Sequence, residues 1–398
     1  MDQHVKALNE AIADDYSAHV YDPQPVTFLD AERVFGQAAL FGRLDRPTDV
    51  LDLACGTGVQ LARIATQLEG RVVGTDISPE PTRIAAERLT PFGERAQILC
   101  ADLLELDPAS LGQFDLIYNI GVIYVTPPAV QRKILELIGQ CLRPGGVAVI
   151  SYHAGSLPAL RTNLHRLLYA GLEGLAPDQA IQAARQRAGH IGRMLENTPG
   201  TDLQRATIAV VAAQPDLVFY HEVFNPCFGA MQTSAIARDL AAHGLEFAWY
   251  LTPPAEELPD SAVDRSIAAD IADFVQGQYR HALFARYPGG GRCNVASPQL
   301  RWESTLARDN PGDYSGEQTF GQIGGTSSAT IRGPASMAML DCLAEGPHDW
   351  ADLRARTARA LKGEGGALTG DELASMEADV RLLWRHGLMS PLYAMDAG

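Results

Sequence analysis

Glycines and carboxylates stand at the ends of short apolar runs in the first third of the chain. The segment VLDLACGTGVQLARIA at 50–65 runs from a predicted strand through Gly56 and Gly58 directly into a predicted helix. Glycine permits a tight turn and a close approach of the backbone to a ligand, and a helix N-terminus presents free N–H groups. The spacing therefore predicts a ligand-binding loop.

Carboxylates follow at the ends of the next two predicted strands, as Asp76 and Asp102. Asp76 lies 76 − 56 = 20 residues after Gly56, the spacing at which a carboxylate meets ribose hydroxyls in nucleotide-binding folds. The third glycine of the dinucleotide-binding pattern is missing, because Leu61 stands there. Taken singly, the glycines are also compatible with a plain strand–helix turn and the carboxylates with solvated caps.

Strands and helices alternate between residues 50 and 153. The predicted strands are 50–54, 71–76, 96–100, 114–120 and 147–152, and the predicted helices lie near 58–68, 79–89 and 128–141. This alternation favours an α/β fold with a doubly wound parallel sheet. Ligands bind such sheets at the carboxyl ends of the strands, where Asn119 and Gly121 also lie.

This set of motifs resembles the class I S-adenosylmethionine-dependent methyltransferases. The resemblance implies a Rossmann-like core, S-adenosylmethionine as cofactor and S-adenosylhomocysteine as product. In that family the glycine loop contacts the methionine part of the cofactor, the acid after the second strand the ribose, and the acid after the third strand the adenine. By position the cofactor-binding residues are Asp52, Ala54, Gly56, Thr57, Gly58, Asp76, Ile77, Asp102, Leu103 and Asn119.

Residues 114–169 and 219–251 show a narrower likeness. They resemble bacterial methyltransferases with a methyltransferase regulatory domain, a group that includes protein-lysine methyltransferases of outer-membrane proteins. The matching points are His221–Glu222, Asn225–Pro226 and the helix–glycine–strand pattern that ends at Tyr250. The chain departs from that pattern at His153 and Asn119.

The resemblance favours an amine on a peptide or protein as the acceptor. O- or N-methylation of a small specialised metabolite is the alternative, and a non-catalytic regulatory protein that binds the cofactor is a third hypothesis. A hydroxyl acceptor calls for a base, whereas an amine must arrive unprotonated. The candidate catalytic residues are His153, His221 and Glu222, and the candidate substrate-binding residues are Tyr21, Tyr124 and Tyr152.

Changes in composition divide the chain into six predicted segments. They are an N-terminal helical segment (1–29), the S-adenosylmethionine-binding core (30–153), a helical insert that acts as a lid or binds the acceptor (154–227), a return to the core sheet with a long amphipathic helix pattern at 260–286 (228–305), a linker or loop (306–333) and a winged-helix-like module (334–398). Because acids outnumber bases in the last segment, we expect it to dimerise or to dock the acceptor rather than to bind DNA.

Composition narrows the choice of partners and location. Among 398 residues, 32 are basic and 48 acidic, which gives a net charge of −16, so nucleic acid is not expected as a partner. The sequence has no signal-peptide pattern and no apolar run near the roughly 20 residues of a membrane helix, which predicts a cytoplasmic protein without a membrane partner. The six cysteines are scattered, which predicts free thiols and no metal site, with Cys55 packing rather than reacting.

Overall fold

The computed structural model describes residues 3–196, 198–252, 261–277, 279–289 and 293–395. Some predicted features reach beyond these ranges. Residues 260 and 278 of the long amphipathic pattern, and residues 396–398 of the C-terminal module, lie outside the described residues.

A seven-stranded sheet forms the centre of the molecule. Its strands are β1 (Val50–Leu53), β2 (Val72–Asp76), β3 (Ala96–Cys100), β4 (Phe114–Asn119), β5 (Leu142–His153), β6 (Glu246–Tyr250) and β7 (Tyr279–Ala285). Their spatial order is β3-β2-β1-β4-β5-β7-β6. Strands β1 to β5 run parallel, and β7 is antiparallel to both of its neighbours. The α/β core and its first five strands agree with the prediction.

Helices precede and connect the parallel strands. They are α1 (Gln3–Ala18), α2 (Ala31–Ala39), α3 (Val59–Ala65), α4 (Pro79–Leu89), α5 (Pro108–Leu111) and α6 (Pro128–Cys141). Helix α4 begins with proline, whose fixed φ suits the first helical position. Strands β1, β2 and β4 are buried along their whole length, as expected of strands that helices cover on both faces.

The segment 154–227 forms a small helical unit with a core of its own. Its helices are α7 (Ser156–Tyr169), α8 (Pro177–Glu196), α9 (Asp202–Ala212) and α10 (Asp216–Val223). Leu168, Val211 and Phe219 are fully buried in a cluster separate from the main core. Because α7 begins directly after β5, this unit, which we call the insert, stands at the carboxyl edge of the sheet.

The single amphipathic pattern at 260–286 is not one helix. After α11 (Thr233–Ala241) and β6, the chain forms α12 (Ala262–Gln276) and then strand β7. Gly277, which follows α12, lies so close to the turn before α7 that a Cβ on it would be 2.7 Å from the Ala154 carbonyl oxygen. The apolar residues of β7 continue the hydrophobic pattern of α12, which hid the strand from the sequence analysis.

The region 306–333, expected to be a linker or loop, contains ordered strands instead. After β8 (Leu300–Ser304) come β9 (Leu306–Ala307), β10 (Gln318–Gln322) and β11 (Ser328–Ile331), which form an antiparallel sheet. Leu306, Phe320 and Ile331 are buried there. Three widely spaced apolar residues, together with the ion pair of Arg308 with Asp341, therefore tie this segment rich in glycine, serine and threonine to the rest of the chain.

The C-terminal module packs into the main core. Its elements are α13 (Pro334–Leu343), β12 (His348–Asp349), α14 (Trp350–Lys362), α15 (Gly370–Arg385) and β13 (Met389–Tyr393). Strand β8 pairs with both β12 and β13. Helix α2 approaches β13 so closely that a Cβ on Gly36 would lie 2.4 Å from the carbonyl oxygen of Pro391. The likeness of this module to a winged helix stays a prediction.

Candidate active site

The loop after β1 has an unusual backbone conformation. Ala54, Gly56 and Gly58 have φ angles of 64°, 55° and 70°, in the left-handed region that favours glycine. Ala54 is the only residue other than glycine with a positive φ among the described residues. The Cys55 N–H donates to the Thr75 carbonyl at 2.8 Å, which ties the loop to β2. The backbone is thus bent at three positions and held in place.

The carboxylate of Asp76 is held by two backbone N–H groups. Gly56 donates to it at 2.8 Å and Ser78 at 2.9 Å. Burial raises the pKa of Asp76, and burial together with the charge of Asp76 raises the pKa of Asp52 to about 7. Neither buried acid has a cationic partner within the described part of the chain, which favours a ligand that brings hydrogen-bond donors or positive charge.

Asp102 follows β3 and accepts two hydrogen bonds. One comes from the Leu104 N–H at 2.9 Å and the other from the side-chain amide of Asn9 in α1 at 2.8 Å. The next residue, Leu103, is buried, and Ile77 occupies the turn that follows Asp76. The carboxylate predicted to meet adenine therefore already carries an N–H donor from α1.

Asn119 ends β4 and is fully buried. Its amide nitrogen donates to the Leu53 carbonyl at 3.0 Å, whereas its side-chain oxygen has no hydrogen-bond partner among the described residues. Thr57 in the glycine loop donates its hydroxyl to Asp22 at 2.6 Å. An unpaired buried acceptor calls for an explanation, which a bound ligand would give.

Aromatic rings meet at the carboxyl ends of β4, β5 and the start of β7. The His153 ring lies 4.7 Å from the Tyr124 ring, 4.9 Å from the Tyr279 ring and 5.3 Å from the Phe228 ring, between centroids. We call these four residues the aromatic cluster. The Tyr279 hydroxyl is 2.6 Å from the Ser151 hydroxyl oxygen, which fixes the ring at the sheet edge.

His153 is neutral at physiological pH in this environment. Burial, with a further contribution from the charge of Arg161, lowers the pKa of His153 to about 3. Its Nε2 lies 3.6 Å from one carboxylate oxygen of Glu222 and has no hydrogen-bond partner in the part of the chain that the structure describes. The other oxygen of Glu222 accepts from Arg161 and from Gln214. Of the predicted catalytic residues, His153 and Glu222 therefore lie together.

His221, the third predicted catalytic residue, contacts helix α1 instead. Its Nε2 lies 3.0 Å from the His19 carbonyl oxygen, and its ring stacks on Tyr16 at 4.1 Å between centroids. The neighbouring Tyr220 donates its hydroxyl to Asp15 at 3.0 Å. Adjacent positions on α10 thus face different ways, so that His221 holds α1 while Glu222 meets His153.

The three predicted substrate-binding tyrosines have different environments. Tyr124 belongs to the aromatic cluster, and Tyr21 is 44% exposed. Tyr152 is fully buried, and its hydroxyl lies 2.7 Å from that of Thr233 within the core. Because side chains alternate along β5, Tyr152 faces away from the side of His153, and its place at the acceptor site stays a prediction that this geometry disfavours.

Several residues at this edge were missed from the sequence. Tyr279 was overlooked because strand β7 was overlooked. Arg161 and His165 stand four positions apart on α7, where i and i+4 share a face, and both lie close to His153. In the sequence, this spacing of two polar residues within an otherwise apolar helix face is the signal that indicates a functional role for them.

Sheet order, antiparallel β7, the glycine loop and the carboxylates after β2 and β3 together define a class I S-adenosylmethionine-dependent methyltransferase. Residues 50–146 match the family model described as a methyltransferase domain. The site residues fit the cofactor, since the side-chain oxygen of Asn119 is an orphaned acceptor and a Cβ on Gly56 would meet nothing within 4 Å. The loop therefore faces open space where a ligand can lie.

Comparisons with known proteins agree with this class. The fold is similar to the structure of PKMT2 from Rickettsia typhi, with a TM-score of 0.76 and 20% identity over 94% of this chain and 77% of that one. An uncharacterized protein of Rickettsia prowazekii is 28% identical over 46% of this chain and 76% of its own length. The ribosomal protein L11 methyltransferase of Bradyrhizobium diazoefficiens is 34% identical over 27% of this chain and 35% of its own length.

No three His, Cys, Asp or Glu side chains within the described ranges come together as ligands for a metal ion. No helix in that same part of the chain is long and apolar enough to cross a lipid bilayer.

Proposed function

We propose that this methyltransferase modifies an amine of a peptide or protein that enters at the aromatic cluster. The carrying observation is the position of neutral His153, with an unpartnered Nε2, inside a ring of aromatic side chains at the sheet edge. Aromatic faces stabilise cations such as a methylated ammonium. A neutral imidazole nitrogen accepts a hydrogen bond from an uncharged amine, and so aligns its lone pair.

The chain's own residues divide the work. The loop of Gly56 and Gly58 with Asp76 and Asp102 would hold the cofactor, which when bound supplies an activated methyl group. His153 would orient the acceptor nitrogen, with Glu222, which Arg161 anchors, 3.6 Å from its Nε2. With a pKa of about 3, His153 is a poor base at neutral pH, which favours an orienting role and an amine that arrives unprotonated.

Two likenesses support a polypeptide acceptor. The chain resembles a group of methyltransferases that includes protein-lysine methyltransferases, and its fold is similar to that of PKMT2 over 94% of its length. The runner-up is a small metabolite, which the insert would cover from its place after β5. The two hypotheses differ in the size of the acceptor.

Label transfer tests the proposal directly. The purified chain is incubated with methyl-labelled S-adenosylmethionine and a bacterial extract that has been split into macromolecules and small molecules. We expect label in protein bands, released on hydrolysis as methylated lysine or another methylated amine. Label confined to the small-molecule fraction would replace the polypeptide acceptor by a metabolite, and the Gly56→Val variant serves as the unlabelled control.

A further inference from the structure

Helix α1 closes over the cofactor edge of the sheet. Asn9, which is 5% exposed, donates from its side-chain amide to Asp102 at 2.8 Å, and α1 packs against α4. Further along α1, the partly buried Tyr16 lies near Asp76, and burial together with the charges of Asp15 and Asp76 raises the pKa of its hydroxyl. Both halves of α1 thus approach carboxylates of the cofactor site.

The same helix is gripped from the other side by the insert. On α10, the Tyr220 hydroxyl donates to Asp15, and His221 bonds the His19 carbonyl while stacking on Tyr16. These contacts attach α10 to α1. The next residue of α10, Glu222, lies beside His153. Helix α1 therefore bridges the cofactor residues and the helix that supports the acceptor edge.

We infer that Asn9 is a residue of the cofactor site and that Tyr220 and His221 hold α1 closed over that site, so that α10 controls how tightly the cofactor is retained. The inference rests on two juxtapositions. Asn9 lies against Asp102 on one flank of α1, and α10 lies against Asp15 and Tyr16 on the other. Any group that moves α10 must then change cofactor affinity, and by linkage the cofactor must change the position of α10. The inference does not depend on the identity of the acceptor.

The test is the affinity of the full chain for S-adenosylhomocysteine, measured by titration calorimetry. Asn9→Ala removes the bond to Asp102, and the double variant Tyr220→Phe with His221→Phe keeps both rings while removing their polar contacts. We expect each to weaken binding by about tenfold, because the closed form of α1 loses population. Asp216→Asn is the matched control on α10, since its partner Arg185 lies within the insert, and it should change affinity less than about twofold.

Hydrogen exchange provides a second readout, in the native chain and in the double variant. In the native chain, adding S-adenosylhomocysteine should slow exchange of the backbone amides of both α1 and α10. In the Tyr220→Phe, His221→Phe protein the slowing should disappear from α10. Unchanged affinity in both variants, or exchange in α10 that ignores the ligand in the native chain, would overturn the inference while leaving the methyl-transfer proposal intact. Absence of binding to the native chain would instead overturn the cofactor site itself.

Discussion

The two sides of the sheet edge are built by different means. On the cofactor side, backbone N–H groups of Gly56 and Ser78 satisfy Asp76, and the loop lies within a short stretch of chain. On the acceptor side, His153 and Arg161 each keep an unpartnered nitrogen although both are buried. The glycine loop, fixed by its backbone, is rigid before its ligand arrives and leaves one buried acceptor, on Asn119, for that ligand, whereas the acceptor side depends on unpaired side chains that a partner must complete.

The two sides also differ in the charge of the ligand that each favours. Burial raises the pKa values of the acids Asp52 and Asp76, and it lowers the pKa values of His153 and His165 to about 3. The cofactor side therefore favours a ligand with donors or positive charge. The acceptor side favours an uncharged nucleophile, because neither histidine is protonated near neutral pH.

The largest effect should come from blocking the rigid side. Valine at position 56 would place a branched side chain in the open space before the loop, at a φ of +55°. We expect the affinity of Gly56→Val for S-adenosylhomocysteine to fall on the order of a thousandfold. Gly93→Val is the matched control, with φ of +60° and equally open space, and it should bind normally. Normal binding by Gly56→Val would disprove the loop assignment.

The Asp52→Asn variant should show how much the ionisation of a buried acid lowers the free energy of unfolding. The folded pKa of about 7 lies above the ordinary value of 3.8, so the native chain binds more protons and its stability falls as pH rises between these values. The variant should match the native chain at pH 4 and exceed it at pH 8 by up to about 4 kcal/mol in free energy of unfolding. Urea unfolding at both pH values measures this, and equal stabilities at pH 8 would contradict it.

His153→Ala addresses the incomplete side. Removing the orienting nitrogen should slow methyl transfer by about tenfold to a hundredfold, with affinity for S-adenosylhomocysteine unchanged. His153→Asn retains a hydrogen-bonding side chain and should recover part of the rate. A loss below about threefold for the alanine variant would remove His153 from the mechanism.

The smallest functional effect is expected where the C-terminal module meets α2. Gly36→Ala would place Cβ 2.4 Å from the Pro391 carbonyl oxygen, which should lower the free energy of unfolding by about 1–3 kcal/mol. Gly192→Ala, in the open on α8, should instead raise it by up to about 1 kcal/mol. Cofactor affinity should stay constant in both variants. A large loss of cofactor affinity in Gly36→Ala would mean that the C-terminal module shapes the cofactor site.

Predictability from the sequence follows the same division. Local spacing predicts the glycine loop, Asp76 and Asp102, because each follows its own strand directly. His153 and Glu222 were found as candidates, but their proximity depends on how α10 folds back over β5. His221 does not join them, because neighbouring residues on a helix point about 100° apart.

Other features were hidden because no local pattern encodes them. Tyr279 entered the aromatic cluster only through β7, whose apolar residues extend the pattern of α12. The strands at 306–333 depend on a few buried residues, among them Phe320 and Ile331, within a segment of loop-like composition. Burial in such places is decided by distant partners rather than by local propensity.

The contact between α2 and β13 has a consequence for biosynthesis. Gly36 and Pro391 are separated by 391 − 36 = 355 residues, so the ribosome must translate nearly all of the intervening chain before α2 can be covered. At 5–20 residues per second that interval is roughly 20–70 s. During this time β13 does not yet cover the apolar face of α2 with Phe35, and apolar surface that stays exposed in an incomplete chain favours aggregation.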